Sequence, residues 1–171
     1  SIAANGTDAS HQAYALGFQA LLRFCSGRDG WRESLAEGLR LERPGPAGEV
    51  EFGPTALAAD IGRLSFDLDA ASAGYERLLD VAERHGDTRS ETWALRGLVL
   101  VDLQLCRLDR AEARIQSLSE IADQSGLMYL PKLQCVAQLA TLSGDVDAAR
   151  DAVDAAIRTA EERGETHTLR L

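Results

Sequence analysis

One pattern returns three times along the chain and limits what it can fold into. With Asp69, Asp109 and Asp147 as a common zero, the copies lie 40 and 38 residues apart. Two residues on stand Ala71, Ala111 and Ala149; at plus six, Tyr75, Ile115 and Val153; at plus nine, Leu78, Leu118 and Ala156; at plus thirteen, Ala82, Ala122 and Ala160. Steps of four, three and four set these positions on one stripe of an α-helix. Aspartate is a preferred N-cap, so the three aspartates are expected to open the helices. Glycine stands at plus seventeen in every copy (Gly86, Gly126, Gly164) and stops a helix by taking the left-handed conformation.

A second apolar-periodic stretch precedes each aspartate, with Ile61, Val101 and Leu139 at minus eight and Leu68, Leu108 and Val146 at minus one. Each unit therefore reads as a helical hairpin. Pro54-Thr55 can open the first helix of one unit, Thr88-Arg89-Ser90-Glu91 fits a capping box for the next, and Pro131 marks the start or a bend of the last. A degenerate earlier copy fits with Asp29 as zero, which puts Leu21 at minus eight, Trp31 at plus two, Leu35 at plus six and Leu39 at plus ten. The expected hairpins run over 9–43, 54–86, 88–126 and 127–165. The Pro/Gly-rich stretch 43–54 reads as a loop, with an extended piece possible at Val50 to Phe52.

One hairpin cannot bury its apolar face alone, whereas stacked neighbours share a continuous core with small residues where helices approach closely. The fold class expected is all-α, a single repeat domain over 1–171 built from about four stacked hairpins.

Acidic residues outnumber basic ones, 27 against 18, for a net charge of −9. Such a field repels phosphate backbones, so direct nucleic-acid binding is not expected. The first ten residues lack the basic start and apolar core of a signal peptide, and no run reaches the ~18 apolar residues of a membrane span. A cytoplasmic protein without membrane contact is the expectation. Cys25, Cys106 and Cys135 form no Cys-x-x-Cys pair and read as ordinary buried or half-buried thiols.

The units resemble tetratricopeptide repeats, whose second helix has the same small residue at plus two, large apolar residue at plus six and small-to-medium one at plus nine. They depart from that repeat in exceeding its ~34-residue period and in lacking a proline near the unit's end. The longer period, the helix ends "VAERHGD" and "TAEERGE" and the start "SGDVDAAR" are similar to the helical-repeat region of large bacterial LuxR-family activators of the maltose-activator type. The resemblance covers residues 54 to 167 well and the first hairpin weakly. It implies a right-handed superhelix, and a parent protein whose nucleotide-binding ATPase and helix-turn-helix domains lie outside these residues. No phosphate loop occurs here, since Lys132, the sole lysine, has no glycine-rich approach. DNA would be reached only through a domain absent from this chain.

Catalytic and metal constellations are not evident, and neither an enzyme nor a cofactor is expected. Asp67-x-Asp69 and Asp145-x-Asp147 begin like a calcium loop, but Ala71 or Ala149 replaces the next ligand. His11, His85 and His167 lie in separate units without ligand spacing and read as surface or helix-end residues. Function is expected in surface recognition of a protein partner or a small effector. In a tetratricopeptide superhelix the first helix of each hairpin lines the concave face. By offset, the resemblance nominates Asp60, Arg63, Trp93, Arg96, Leu100, Gln104, Gln134, Gln138 and Thr141. A sensor segment of a LuxR-type activator is the leading reading, a stand-alone interaction scaffold the alternative, and an uncharacterised helical enzyme the remote one. A homodimer through an apolar face of a terminal hairpin stays open.

Overall fold

The computed structural model describes residues 2–42, 53–125, 129–162 and 164, with the backbone alone for 2–8, 125 and 129. The described residues form eight helices packed in sequence as antiparallel neighbours: α1 (Ile2–Cys25), α2 (Trp31–Leu41), α3 (Pro54–Leu64), α4 (Leu68–His85), α5 (Thr88–Gln104), α6 (Leu108–Ser125), α7 (Tyr129–Ser143) and α8 (Val146–Glu162). They divide into two compact units, Ser1–Ala94 and Leu95–Leu171. Four hairpins are present as anticipated, although α1 begins well before residue 9. The stretch 43–52, with the extended piece expected at Val50 to Phe52, and Gly126 lie outside the described residues.

The helices start and stop for local reasons that shift one expectation. The N-cap lies two residues before the repeated aspartate. Asp67 accepts from Ala70 N–H at 3.4 Å and Asp145 from Ala148 N–H at 3.0 Å, so Asp69 and Asp147 stand inside the first turn. There their charge still suits the positive end of the helix dipole. The cap of α5 is Asp87, which accepts from Ser90 N–H at 3.2 Å and Ser90 O–H at 2.6 Å; it displaces the Thr88 capping box. Pro54 takes the first position of α3 as expected, and the Glu42 carboxylate accepts from Thr55 N–H and O–H. Gly86 ends α4 at φ 64°.

The turn inside each hairpin has one geometry four times over. A backbone N–H bonds a carbonyl five residues back: Arg28 to Arg23, Asp67 to Gly62, Arg107 to Asp102 and Asp145 to Ala140, all at 2.8 or 2.9 Å. The preceding residue is left-handed, with φ 65° at Gly27, 63° at Phe66, 53° at Cys106 and 79° at Gly144. This is the usual glycine-dependent helix stop, yet two copies hold it with Phe66 and Cys106 at a cost of about 1–2 kcal/mol each.

Packing in the first unit runs through very small residues. A β-carbon added at Gly74 of α4 falls 2.9 Å from Ala59 Cβ of α3, and one at Gly17 of α1 falls 2.9 Å from Leu57 Cδ1 of α3. The first hairpin also corrects its sequence register. Ser34 N–H bonds Gly30 O as Ala71 N–H bonds Asp67 O, so Ser34 and Gly38 take the plus-two and plus-six places. Both are buried, whereas Trp31 and Leu35 are half-buried and Leu39 is exposed. Trp31 instead packs edge-on against Phe24, and Ser34 joins Gln19 and Arg23 in a polar cluster.

The second unit solves the same close approach with charge. Asp102 of α5 is 1% exposed and accepts from Arg114 of α6 at 2.6 Å, with Arg110 at 3.9 Å; Arg114 also donates to Leu98 O at 3.3 Å. These are the minus-seven and plus-five places of the repeat, held by Gly62 and Gly74 in the copy before and by Ala140 and Ala152 in the copy after. A buried carboxylate is tolerable only with its partners in place. Asp102→Ala is expected to lower unfolding stability by about 3–5 kcal/mol in urea titrations, because it strands Arg114 without its main acceptor. A loss under about 1 kcal/mol would mean that the pair is solvated rather than buried.

Candidate functional site

The nominated recognition residues fall into two clusters, one in each unit. In the first, Tyr75 is the centre. Its hydroxyl donates to Asp60 Oδ1 at 2.7 Å, and its ring meets Trp93 edge-on with centroids 5.5 Å apart. The Arg63 charge acts on the same hydroxyl. Burial, reinforced by the charge and hydrogen bond of Asp60, pushes the phenol far above its ordinary range; Arg63 pulls the other way. Tyr75 therefore remains a proton donor and fixes the Asp60 carboxylate. Asp60, Arg63 and Trp93 are each half-buried, which leaves an edge of every one of them facing solvent.

The cluster in the second unit centres on Arg96. Its Nη2 donates to Gln134 Oε1 on α7 at 3.1 Å, and its charge also acts on the Cys135 thiol. Burial pushes that thiol up to about 11, against the opposing pull of Arg96. The nominated set does not come together as a whole. Leu100 is 8% exposed and belongs to the core, so it presents nothing to a ligand. Gln104 and Gln138 are exposed, and Thr141 is exposed with its hydroxyl turned back onto Ala137 O at 2.7 Å.

Arg63 and Arg96 share an uncommon feature. The Nε of each is buried without a hydrogen-bond partner, while the rest of the side chain is half-buried. A guanidinium bonds carboxylates and phosphates best through Nε and a neighbouring Nη together, so both arginines hold donor capacity that protein atoms leave unused.

The sequence reading passed over Tyr75 as a packing residue, because its plus-six place is apolar in the other copies. Its hydroxyl was the available signal, since a buried tyrosine needs an acceptor within reach. The Asp102–Arg114 pair was signalled by one aspartate inside the apolar run "LVLVDLQL". Cysteine placement corrects the expectation of buried thiols: Cys25 and Cys106 are exposed, and only Cys135 is buried. His11 and His85 are exposed as expected, and His167 lies outside the described residues. Among the described residues no three His, Cys, Asp or Glu gather as a metal site, and no helix is long and apolar enough to cross a membrane.

Tyr75→Phe is expected to cost about 1–2 kcal/mol in denaturant titrations, since it removes a hydrogen bond to a charged acceptor. With an aromatic thiol reagent at pH 8, Cys25 and Cys106 are expected to react in the native protein and Cys135 only on unfolding. The Cys135 thiol is raised from 9.0 to about 11 in the fold, so its contribution to stability is complete below pH 9 and lost as pH climbs toward 11. Native reaction at all three thiols would contradict this placement. No protein-family model matches the chain, and no curated protein or solved structure is significantly similar to it.

Proposed function

We propose that the chain is a non-catalytic helical-repeat segment that recognises a protein partner or small effector through the first helices of its hairpins. The observation that carries this reading is the division of labour along the repeat. Positions that recur, such as Ala71 and Ala111 or Ala82 and Ala122, are buried packing residues. Positions that vary carry the recognition chemistry: Asp60, Arg63 and Trp93 in one cluster, Arg96 and Gln134 in the other. Tryptophan and arginine combine wide contact area with directed polar groups, which suits them to be binding anchors.

In this reading the hairpins continue one another as a right-handed superhelix of the tetratricopeptide kind, and the segment serves a cytoplasmic LuxR-family activator as its sensor. A ligand then regulates by binding two states of the regulator unequally, since equal affinity shifts no population. The unused Nε donors of Arg63 and Arg96 favour a ligand that presents a carboxylate or phosphate.

A thermal-shift screen of the 171-residue chain against nucleotides and carboxylate metabolites tests the effector form of the reading. A true ligand raises the midpoint by mass action on the folded state, by about 2.7 kcal/mol of stabilisation at a hundred times its dissociation constant. Arg63→Ala or Arg96→Ala is expected to abolish that rise while leaving the unliganded melt within a few degrees of the parent. Rises that survive both substitutions would place the ligand elsewhere.

A further inference from the structure

One second helix of the repeat is built differently at its start. At minus two, plus one and plus five, α4 has Asp67, Ala70 and Gly74, and α8 has Asp145, Ala148 and Ala152. The same places in α6 are all basic: Arg107, Arg110 and Arg114. Steps of three and four set these arginines on one side of the helix, whereas its acids, Asp109, Glu112, Glu120 and Asp123, fall away from that side. Arg107 also gives up a cap. Asp67 and Asp145 accept from the N–H groups of Ala70 and Ala148, and an arginine side chain has no atom that can accept. It further sets a cation at the positive end of the helix dipole, so the fold alone gains nothing from either change. Positions where a sequence works against its own local structure are where function is expected.

Burial sorts the three guanidinium groups. The Arg114 side chain, 18% exposed, is held 2.6 Å from buried Asp102. Arg110 comes only within 3.9 Å of that carboxylate, and 52% of its side chain is exposed. Arg107 is exposed and has no ion pair among the described residues. Asp102 thus matches the charge of Arg114 and leaves two guanidinium charges side by side at the surface of a chain whose net charge is −9. Like charges one turn apart on a helix repel, and an anion seated between them removes that repulsion. A phosphate monoester suits the pair, since it carries about two charges near neutral pH and enough acceptor oxygens for two planar forks to engage together. A carboxylate brings one charge and fills one fork. The four acids of the same helix oppose a continuous phosphate backbone, so a single phosphate group fits and a nucleic acid does not.

We propose that Arg107 and Arg110 form a binding site for a phosphate monoester, with the Asp102 and Arg114 pair as its fixed base. A phosphorylated small molecule and a phosphorylated side chain of a partner present this same chemistry. The site belongs to the second helix of its hairpin and does not depend on the recognition role given to the first helices.

Phenyl phosphate, with benzoate as its singly charged match, is titrated in low salt into the isotope-labelled 171-residue chain, and the arginine Nε–H signals are followed by NMR. Saturable shifts of the Arg107 and Arg110 signals are expected, with benzoate about tenfold weaker. Arg110→Ala is expected to weaken phenyl phosphate about tenfold. Arg63→Ala and Arg96→Ala are expected to leave it unchanged, so this site and the recognition clusters of the first helices stand or fail separately. Arg107→Asp is the decisive variant, because it restores the cap that α4 and α8 have: the thermal midpoint is expected to rise while phosphate binding is lost. A fall in that midpoint would show that Arg107 serves the fold and would overturn the proposal. Equal affinity for benzoate, or no saturation at millimolar concentrations, overturns it as well. A phosphoserine peptide with alanine flanks separates the two sources: tighter binding than phenyl phosphate identifies a modified partner, and weaker binding a small phosphorylated molecule.

Discussion

Close approach of helix backbones is the constraint on which the rest depends. Antiparallel helices joined by turns of two to five residues run close together, and each repeated unit meets that approach at its minus-seven and plus-five places. The three repeated units resolve it in three chemistries. Gly62 lets Asp67 O and Ala71 come close and Gly74 does the same for Ala59, Ala140 and Ala152 are buried alanines, and Asp102 and Arg114 form an ion pair. Dispersion contacts at such short range reward a fit that one extra methylene would spoil.

That constraint also explains how the nominated polar residues come to stand at the surface. With the stripe of recurring positions committed to packing, the polar side chains on α3 and α5 are held at its edge. Tyr75 joins the two roles, since its ring belongs to the core while its hydroxyl donates to Asp60. A rigid tyrosine behind half-exposed polar groups holds them in one arrangement.

The helices were legible in the sequence because apolar spacing and stop glycines act locally, and both survive in every repeated copy. The cap at Asp67 instead of Asp69 was not, since two aspartates two residues apart satisfy the same preference and only backbone dihedrals choose between them. The register of the first hairpin was misread for a similar reason: Asp29 offered a plausible zero, whereas Gly30, with its carbonyl on Ser34 N–H, sets the true one. The left-handed turns were hidden where Phe66 and Cys106 stand in a position that glycine would have announced. Among the nominated recognition residues, Leu100 shows the limit of offset reasoning, because an offset fixes the helical face only to within one neighbour and that neighbour lies in the core.

The Asp102–Arg114 pair has a consequence for which helices can pair as the chain folds. Hairpins built on one pattern can exchange partners while the chain collapses, and misfolding by swapping is a recurrent hazard of repeat proteins. A helix carrying Arg114 that docked on α3 or α7 would meet Gly62 or Ala140 in place of Asp102 and bury a guanidinium without an acceptor. A mistaken pairing of α5 would strand the carboxylate in the same way. The ion pair thus acts as an address label: it adds little to the stability of the correct hairpin over a pair of alanines, but it makes the incorrect ones untenable.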